Sequence, residues 1–218
     1  MNVREHCSFL WEKNMPKDKT ESHNRILEAA KNEFLEYGFA DASLRRIASQ
    51  AGIIVSGLYK HFANKEEMFA ALVDPAIDGF MDLYREIEGE YFDELDRFGK
   101  SDNWTGQSES VRAMEYIFDH IDAFKLIICC SGGTKYEDFI HEAAILEEKV
   151  TFKYMKELRS KGYKIKNVNK KEFHLLITAY VEAMFEPVSH DFTRKEAMHF
   201  AKTLEAFYEP AWKVLFGL

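Results

Sequence analysis

Ala48, Gly52 four residues on, and Leu58 six after that reproduce the spacing of a helix-turn-helix. Two short helices that cross closely need a small side chain at the crossing, and Ala48 supplies it. The turn between them needs a left-handed backbone, which glycine adopts without a Cβ penalty. Ile47, Ile53, Leu58 and Phe62 are then expected to fill the wedge between the helices and lean on Ile26 and Phe34 of a preceding helix. The unit that results has three helices, the last presented outward.

The preceding helix is expected to open near Ser22, carry Ile26, Leu27, Ala30, Phe34 and Tyr37 on one side, and stop at Gly38. Ser43 is the expected cap of the second helix, and the third covers about 55–62. Asn64 caps a fourth, with Glu66 and Glu67 in its first turn, where the helix dipole favours negative charge. Pro75 is expected to kink or break that helix, which continues through "IDGFMDLYREIEGEYFDELDRF".

Further on, "GKSDNWTGQSES" (99–110) reads as a loop, followed by a helix over 109–120 and the apolar run "AFKLIICC". "SGGT" (131–134) breaks the chain again. A long helix over 136–160 ends at Gly162, and two last helices, 170–185 and 193–215, are joined by "EPVSHDF". Apolar residues recur at spacings of three and four, and 11 Gly and 4 Pro in 218 residues are too few for many tight β turns. The fold class is therefore all-α. The expected organisation is an N-terminal extension over 1–20, the helix-turn-helix unit over 21–68, and a larger helical body over 69–218.

Charge separates the two parts. The segment "SLRRIASQAGIIVSGLYKHFANK" holds four basic residues and no acidic one, in a chain of net charge -8. Residues 1–65 carry ten Lys and Arg against eight Asp and Glu, whereas the remainder carries 19 against 29. A carboxylate facing a phosphate opposes binding, while Arg45, Arg46, Lys60 and Lys65 would release counterions from a duplex. A helix N-terminus also fits the major groove. Double-stranded DNA is thus the expected partner. The competing reading is a protein-interaction adaptor whose helix-turn-helix no longer binds DNA.

The stretches "RILEAAKNEFLEYGF", "SLRRIASQAG" and "GLYKHFANKEEMF" together resemble the TetR-type transcriptional regulators, over about Ser22 to Phe69. The resemblance implies that Ser43 and Arg45, with Arg46 beside them, open the second helix against the phosphate backbone. It implies that Val55, Ser56 and Gly57 lie nearest the base edges, that Tyr59, Lys60 and His61 hold phosphates, and that Lys65 grips one more. Many members have a polar cap where this chain has Ile54. Either Val55 or Ile54 meets thymine methyl groups, or Ile54 packs inward, with Ser56 capping a shortened helix.

The resemblance further implies a ligand-sensing and dimerising body, and hence a repressor released from a palindromic operator by a small-molecule effector. Read directly, the aromatic and apolar residues of the body are mostly core, with some lining a cavity. The candidates are Phe80, Tyr84, Trp104, Met114, Phe118, Phe124, Phe139 and Phe152, and the cavity is expected among the helices at about 80–96, 109–128 and 136–158. The last two helices carry Leu176, Ala179, Tyr180 and Ala183 (with Met184), then Phe200, Leu204, Phe207 and Trp212. Two copies of that pair would make a four-helix bundle and a homodimer, though packing within one chain could absorb the same residues.

No stretch reaches the ~20 apolar residues of a membrane span, and charges interrupt the N-terminus where an export signal would be apolar. With three cysteines the chain is expected to be cytoplasmic and free of a disulfide framework. Cys129 and Cys130 are expected to be apolar fillers rather than an oxidant sensor. Neither a phosphate-binding Gly-rich loop, a nucleophile motif nor a zinc spacing is present, so neither an enzyme, a cofactor nor a metal is expected.

Overall fold

In the computed structural model, residues 19–98 and 108–218 are described, and they contain nine helices and no strand. The chain divides into two units, the first ending at Leu72 and the second starting at Val73. The first comprises α1 (Lys19–Asp41), α2 (Leu44–Gln50), α3 (Val55–Leu58) and the start of α4 (Lys65–Phe98). The second holds the rest of α4 with α5 (Glu109–Asp119), α6 (Ile121–Cys129), α7 (Phe139–Ser160), α8 (Lys170–Ser189) and α9 (Arg194–Phe216). No helix among the described residues is long and apolar enough to cross a membrane.

The core of the first unit is the expected wedge: Ile26, Ala30, Phe34, Ile47, Ala48, Leu58 and Phe62 are buried, joined by Phe39, Met68 and Phe69. Phe69 meets Phe34 and Phe39 edge-on at 5.2 and 5.4 Å. Gly52 ends α2 at φ 68°. Its N–H donates to the Ser49 carbonyl at 3.1 Å, and the Ile53 N–H to that of Ala48 at 2.9 Å. These two bonds close the helix by the left-handed glycine route. A Cβ at Gly52 would meet nothing closer than 3.9 Å, so backbone conformation and not crowding requires glycine there.

Several boundaries differ from expectation, each for a packing reason. At Gly38 the backbone leaves the helical range, at φ 72°, ψ 169°, so the regular helix stops there as expected, and the short turn that follows to Asp41 buries Phe39. Tyr37 lies at the surface, because the inward positions of that turn go to Phe34 and Phe39. Ser43 occupies the N-cap position of α2, but its hydroxyl makes no capping bond. Regular α3 stops at Leu58, and a tighter turn continues to Phe62. Asn64 does cap α4, its side-chain oxygen accepting from the Glu67 N–H at 2.7 Å.

As expected, α4 continues past Pro75 to Phe98, without a break. The Pro75 ring is exposed, where the lost backbone bond disturbs no packing. Pro187 likewise falls inside α8 and not in a loop, because four more helical residues bury Pro187 and Val188. In the second unit α7 packs along α8 and α5 along α9. One core cluster there gathers Leu95, Met155, Leu158, Phe173, Ile177 and Phe216. Another is built of rings, with Phe124 set between Phe80, Phe139 and Phe185 at 5.6 to 6.4 Å.

Candidate nucleic-acid interface and buried cavity

The four cations of the acid-free segment have different tasks. Glu33 of α1 is fully buried, and its carboxylate accepts from Arg46 Nε at 2.7 and 3.0 Å and from the Ser43 N–H at 2.7 Å. Arg46 Nη2 closes the pair at 2.6 Å and donates to the Asp41 carbonyl at 3.0 Å, while the guanidinium lies over the Tyr37 ring. Burial pushes the Glu33 carboxyl up. Hydrogen bonds from Arg46 and Ser43 and the charges of Arg46 and Lys65 outweigh it, so its pKa is lowered.

Lys65 Nζ donates to the carbonyls of Phe39, Ala40 and Ala42 at 2.6, 3.1 and 3.3 Å, with the Phe39 ring beside it. An ammonium has three donors, and all three are used at the end of α1. The phosphate contact expected of Lys65 would have to compete with these three bonds. Arg46 is likewise committed by Nε and Nη2 to holding α2 against α1. Arg45 and Lys60 remain exposed, and so do Ser56 and Tyr59, the latter 55 % exposed.

Val55, Gly57 and His61 are half-buried on the same short segment, and Ser43 is held from behind by Glu33. Ile54 stands at the N-cap of α3 with extended backbone and is 75 % exposed, which overturns the reading that it packs inward. Ser56 lies inside α3 and does not cap it.

The second unit has a partly open cavity of about 390 Å³ bounded by α4, α5, α7 and α8. Of the residues expected to line it, Phe80, Tyr84 and Phe139 do so. Met114 and Phe124 are fully buried and stand outside the lining, and Phe118 is half-buried outside it too. Phe152 belongs to the other cluster, edge-on to Phe173 at 5.0 Å. Trp104 falls outside the described residues.

Sequence reading misses the polar part of this wall: Glu109, Ser110, Glu147 and Tyr180. Tyr84 donates to Glu147 at 2.7 Å, Thr151 to the same carboxylate at 3.4 Å, and Tyr91 is hydrogen-bonded to Glu109. Burial first, then the charge of Glu147, push Glu109 up to about 7. Burial raises Glu147 as well, against the hydrogen bonds from Tyr84 and Thr151. A signal for Glu147 exists in the sequence: it falls four residues after Ala143 and eight after Phe139, inside the apolar stripe of α7.

The expected dimer face is split. Leu176 and Ala179 are exposed on α8 and Phe207 is 72 % exposed on α9, joined by the unexpected Leu175 and Val214 at 70 and 72 %. Leu204 is buried within the chain, and Met184 also turns inward. Tyr180 turns to the cavity wall, its hydroxyl 2.9 Å from Ser110 Oγ. Ala183 is half-buried, Phe200 packs on Phe192, and Trp212 stacks on Tyr208 at 5.5 Å. Because α8 is apolar on two faces, periodicity alone does not say which one meets the core.

Burial pushes the thiols of Cys129 and Cys130 up, the reverse of what an activated thiolate needs. No group of three or more His, Cys, Asp or Glu suited to a metal occurs among the described residues.

Residues 26–72 match the sequence profile of the "Bacterial regulatory proteins, tetR family". An HTH-type transcriptional regulator of Staphylococcus aureus (strain USA300) is 27 % identical over 145 residues, covering 64 % of this chain and 69 % of the relative. Among solved structures, a TetR-like transcriptional regulator from Rhodococcus sp. RHA1 superposes with a TM-score of 0.56 at 18 % identity, covering 91 % of this chain and 99 % of that one. NalD, the secondary repressor of the MexAB-OprM multidrug efflux pump in Pseudomonas aeruginosa, gives 0.54 at 16 % identity, covering 91 % and 98 %. At those identities the two structures speak for the fold.

Proposed function

The chain belongs to the TetR family of bacterial regulators, and from that premise we propose that it is a repressor released from its operator by a small-molecule effector. It is a DNA-binding transcriptional regulator; the finer reading is that it binds a palindromic operator as a homodimer, in the cytoplasm, and is not an enzyme. One observation supports the DNA contact: Arg45, Ser56, Tyr59 and Lys60 are exposed together on a segment without a single carboxylate, while Lys65 and two nitrogens of the partly exposed Arg46 are bonded within the unit. The cavity of about 390 Å³ supports an effector, since its size falls in the range of small-molecule sites. An effector acts only through different affinities for the two states of the dimer, so it must favour the spacing of reading helices that no longer fits both half-sites.

A salt titration on duplex DNA tests this. Arg45→Ala and Lys60→Ala will each flatten the slope of log K against log salt by roughly two per dimer, one phosphate being lost from each protomer. Lys65→Ala will leave that slope unchanged and lower the melting temperature instead. Equal slopes for all three variants would remove the assignment.

The dimer reading rests on the exposed apolar residues of α8 and α9. Leu175→Glu combined with Phe207→Glu will convert the dimer to a monomer in sedimentation velocity, with the helical circular dichroism retained. A dimer that persists in the double variant would place the interface elsewhere.

A further inference from the structure

The cavity of the second unit is apolar apart from its acids. Phe80, Tyr84, Phe139 and Phe185 present rings to it, and Glu109 and Glu147 face it from α5 and α7, with Glu142 on the same wall. Among the described lining residues there is no Lys, Arg or His. The hydrogen-bond partners given by the structure to these two carboxylates are hydroxyls, from Tyr84, Thr151 and Tyr91, and hydroxyls do not neutralise charge. Other acids lie near enough to act on the pair: Glu88 on Glu147 and Glu205 on Glu109, each adding to the negative potential.

A carboxylate withdrawn from water without a counterion is costly in a protein interior. Two half-buried ones share this cavity, so the site is incompletely compensated by its own lining. An aromatic wall also attracts cations through the negative faces of its rings. From this juxtaposition we propose that the effector is a hydrophobic organic cation, its charged centre held by Glu109 and Glu147 and its apolar body against Phe80, Phe139 and Phe185. The proposal rests on the reading that this cavity receives the effector, and it adds the ligand's charge and chemical class. A neutral lipid-like ligand would leave both acids without a counter-charge, and an anionic one would be repelled. A bare metal ion would leave the ring wall unused.

The test compares probes of one shape and different charge on the full-length protein at pH 8. Benzyltrimethylammonium carries the charge, neopentylbenzene is its neutral carbon isostere, and phenylmethanesulfonate is an anion of similar size. Calorimetric titration will show the cation bound tighter than the isostere by roughly tenfold or more. In the Glu109→Gln, Glu147→Gln double variant the cation will lose that advantage while the isostere binds as before. The isosteric amides keep the volume, and a retained melting transition shows that the variant is folded.

If the isostere or the sulfonate binds as well as the cation to the unaltered protein, the charge assignment is overturned and the cavity remains an effector site. The assignment also fails if the double variant keeps the preference for the cation. Should none of the three bind up to millimolar concentration, both the assignment and the cavity as effector site are overturned.

Discussion

Replacing Glu33 with alanine will destabilise the N-terminal unit by about 2–3 kcal/mol, at the lower edge of what breaking a buried ion pair costs, because Arg46 is partly exposed. The substitution leaves the Ser43 N–H without its acceptor and strips Arg46 of the carboxylate that fixes it against α1. Both losses fall at the entry to α2, so the whole helix-turn-helix loosens and DNA affinity falls with it. Hydrogen exchange read by mass spectrometry localises the effect. Amides of α1 and α2 will exchange faster, and those of α7 and α8 will not change. Glu33→Gln keeps the volume and an acceptor for Ser43, so its loss will be smaller. Unchanged protection in Glu33→Ala would show that the pair contributes little.

The same carboxylate gives the unit an acid limit. Its folded pKa is lowered, so the stability it contributes is present above the unfolded value of about 4.3 and is lost as pH falls below that through the folded pKa.

The second unit will respond to pH in the opposite direction and in a different window. Glu109 has a folded pKa raised to about 7, against roughly 4.3 in an unfolded chain. Between those values the folded state holds a proton that the unfolded state has released. Stability therefore falls as pH rises from about 5 to 8, by about 3 kcal/mol in all, and levels off above the folded pKa. The groups acting on Glu109 agree on the sign: Glu147 and Glu205 raise its pKa, and only the hydrogen bond from Tyr91 lowers it. Urea denaturation at pH 5, 6, 7 and 8 will show the midpoint of the second unit moving down with pH. In Glu109→Gln the shift will shrink to the part that Glu147 contributes. Parallel behaviour of the two proteins would mean that Glu109 is ionised and solvated throughout.

How far each feature can be read from the chain depends on the distance over which it is determined. The wedge residues Ile47, Ala48, Leu58 and Phe62 and the acid-free segment lie within a few turns of one another, and they are legible. Pro187 misleads because a proline's local preference yields where its neighbours gain burial. Among the cavity residues, the aromatic Phe80, Tyr84 and Phe139 are identified by their type. Glu109 and Glu147 escape notice, since a carboxylate on a helix is ordinarily taken for surface.

What the sequence by itself determined is the helix-turn-helix: Gly52 sets the backbone of the turn, and residues four and six positions away set the contacts across it. Only the tertiary structure decided which cations are bonded within the unit, because Arg46 reaches Glu33 and Lys65 reaches Phe39, 13 and 26 residues earlier in the chain. It also decided that α8 turns Ile177 and Val181 inward and leaves Leu175 and Leu176 outside. Backbone conformation and caps follow from neighbours a turn or two away, whereas the pairing of side chains across helices follows from how the helices pack.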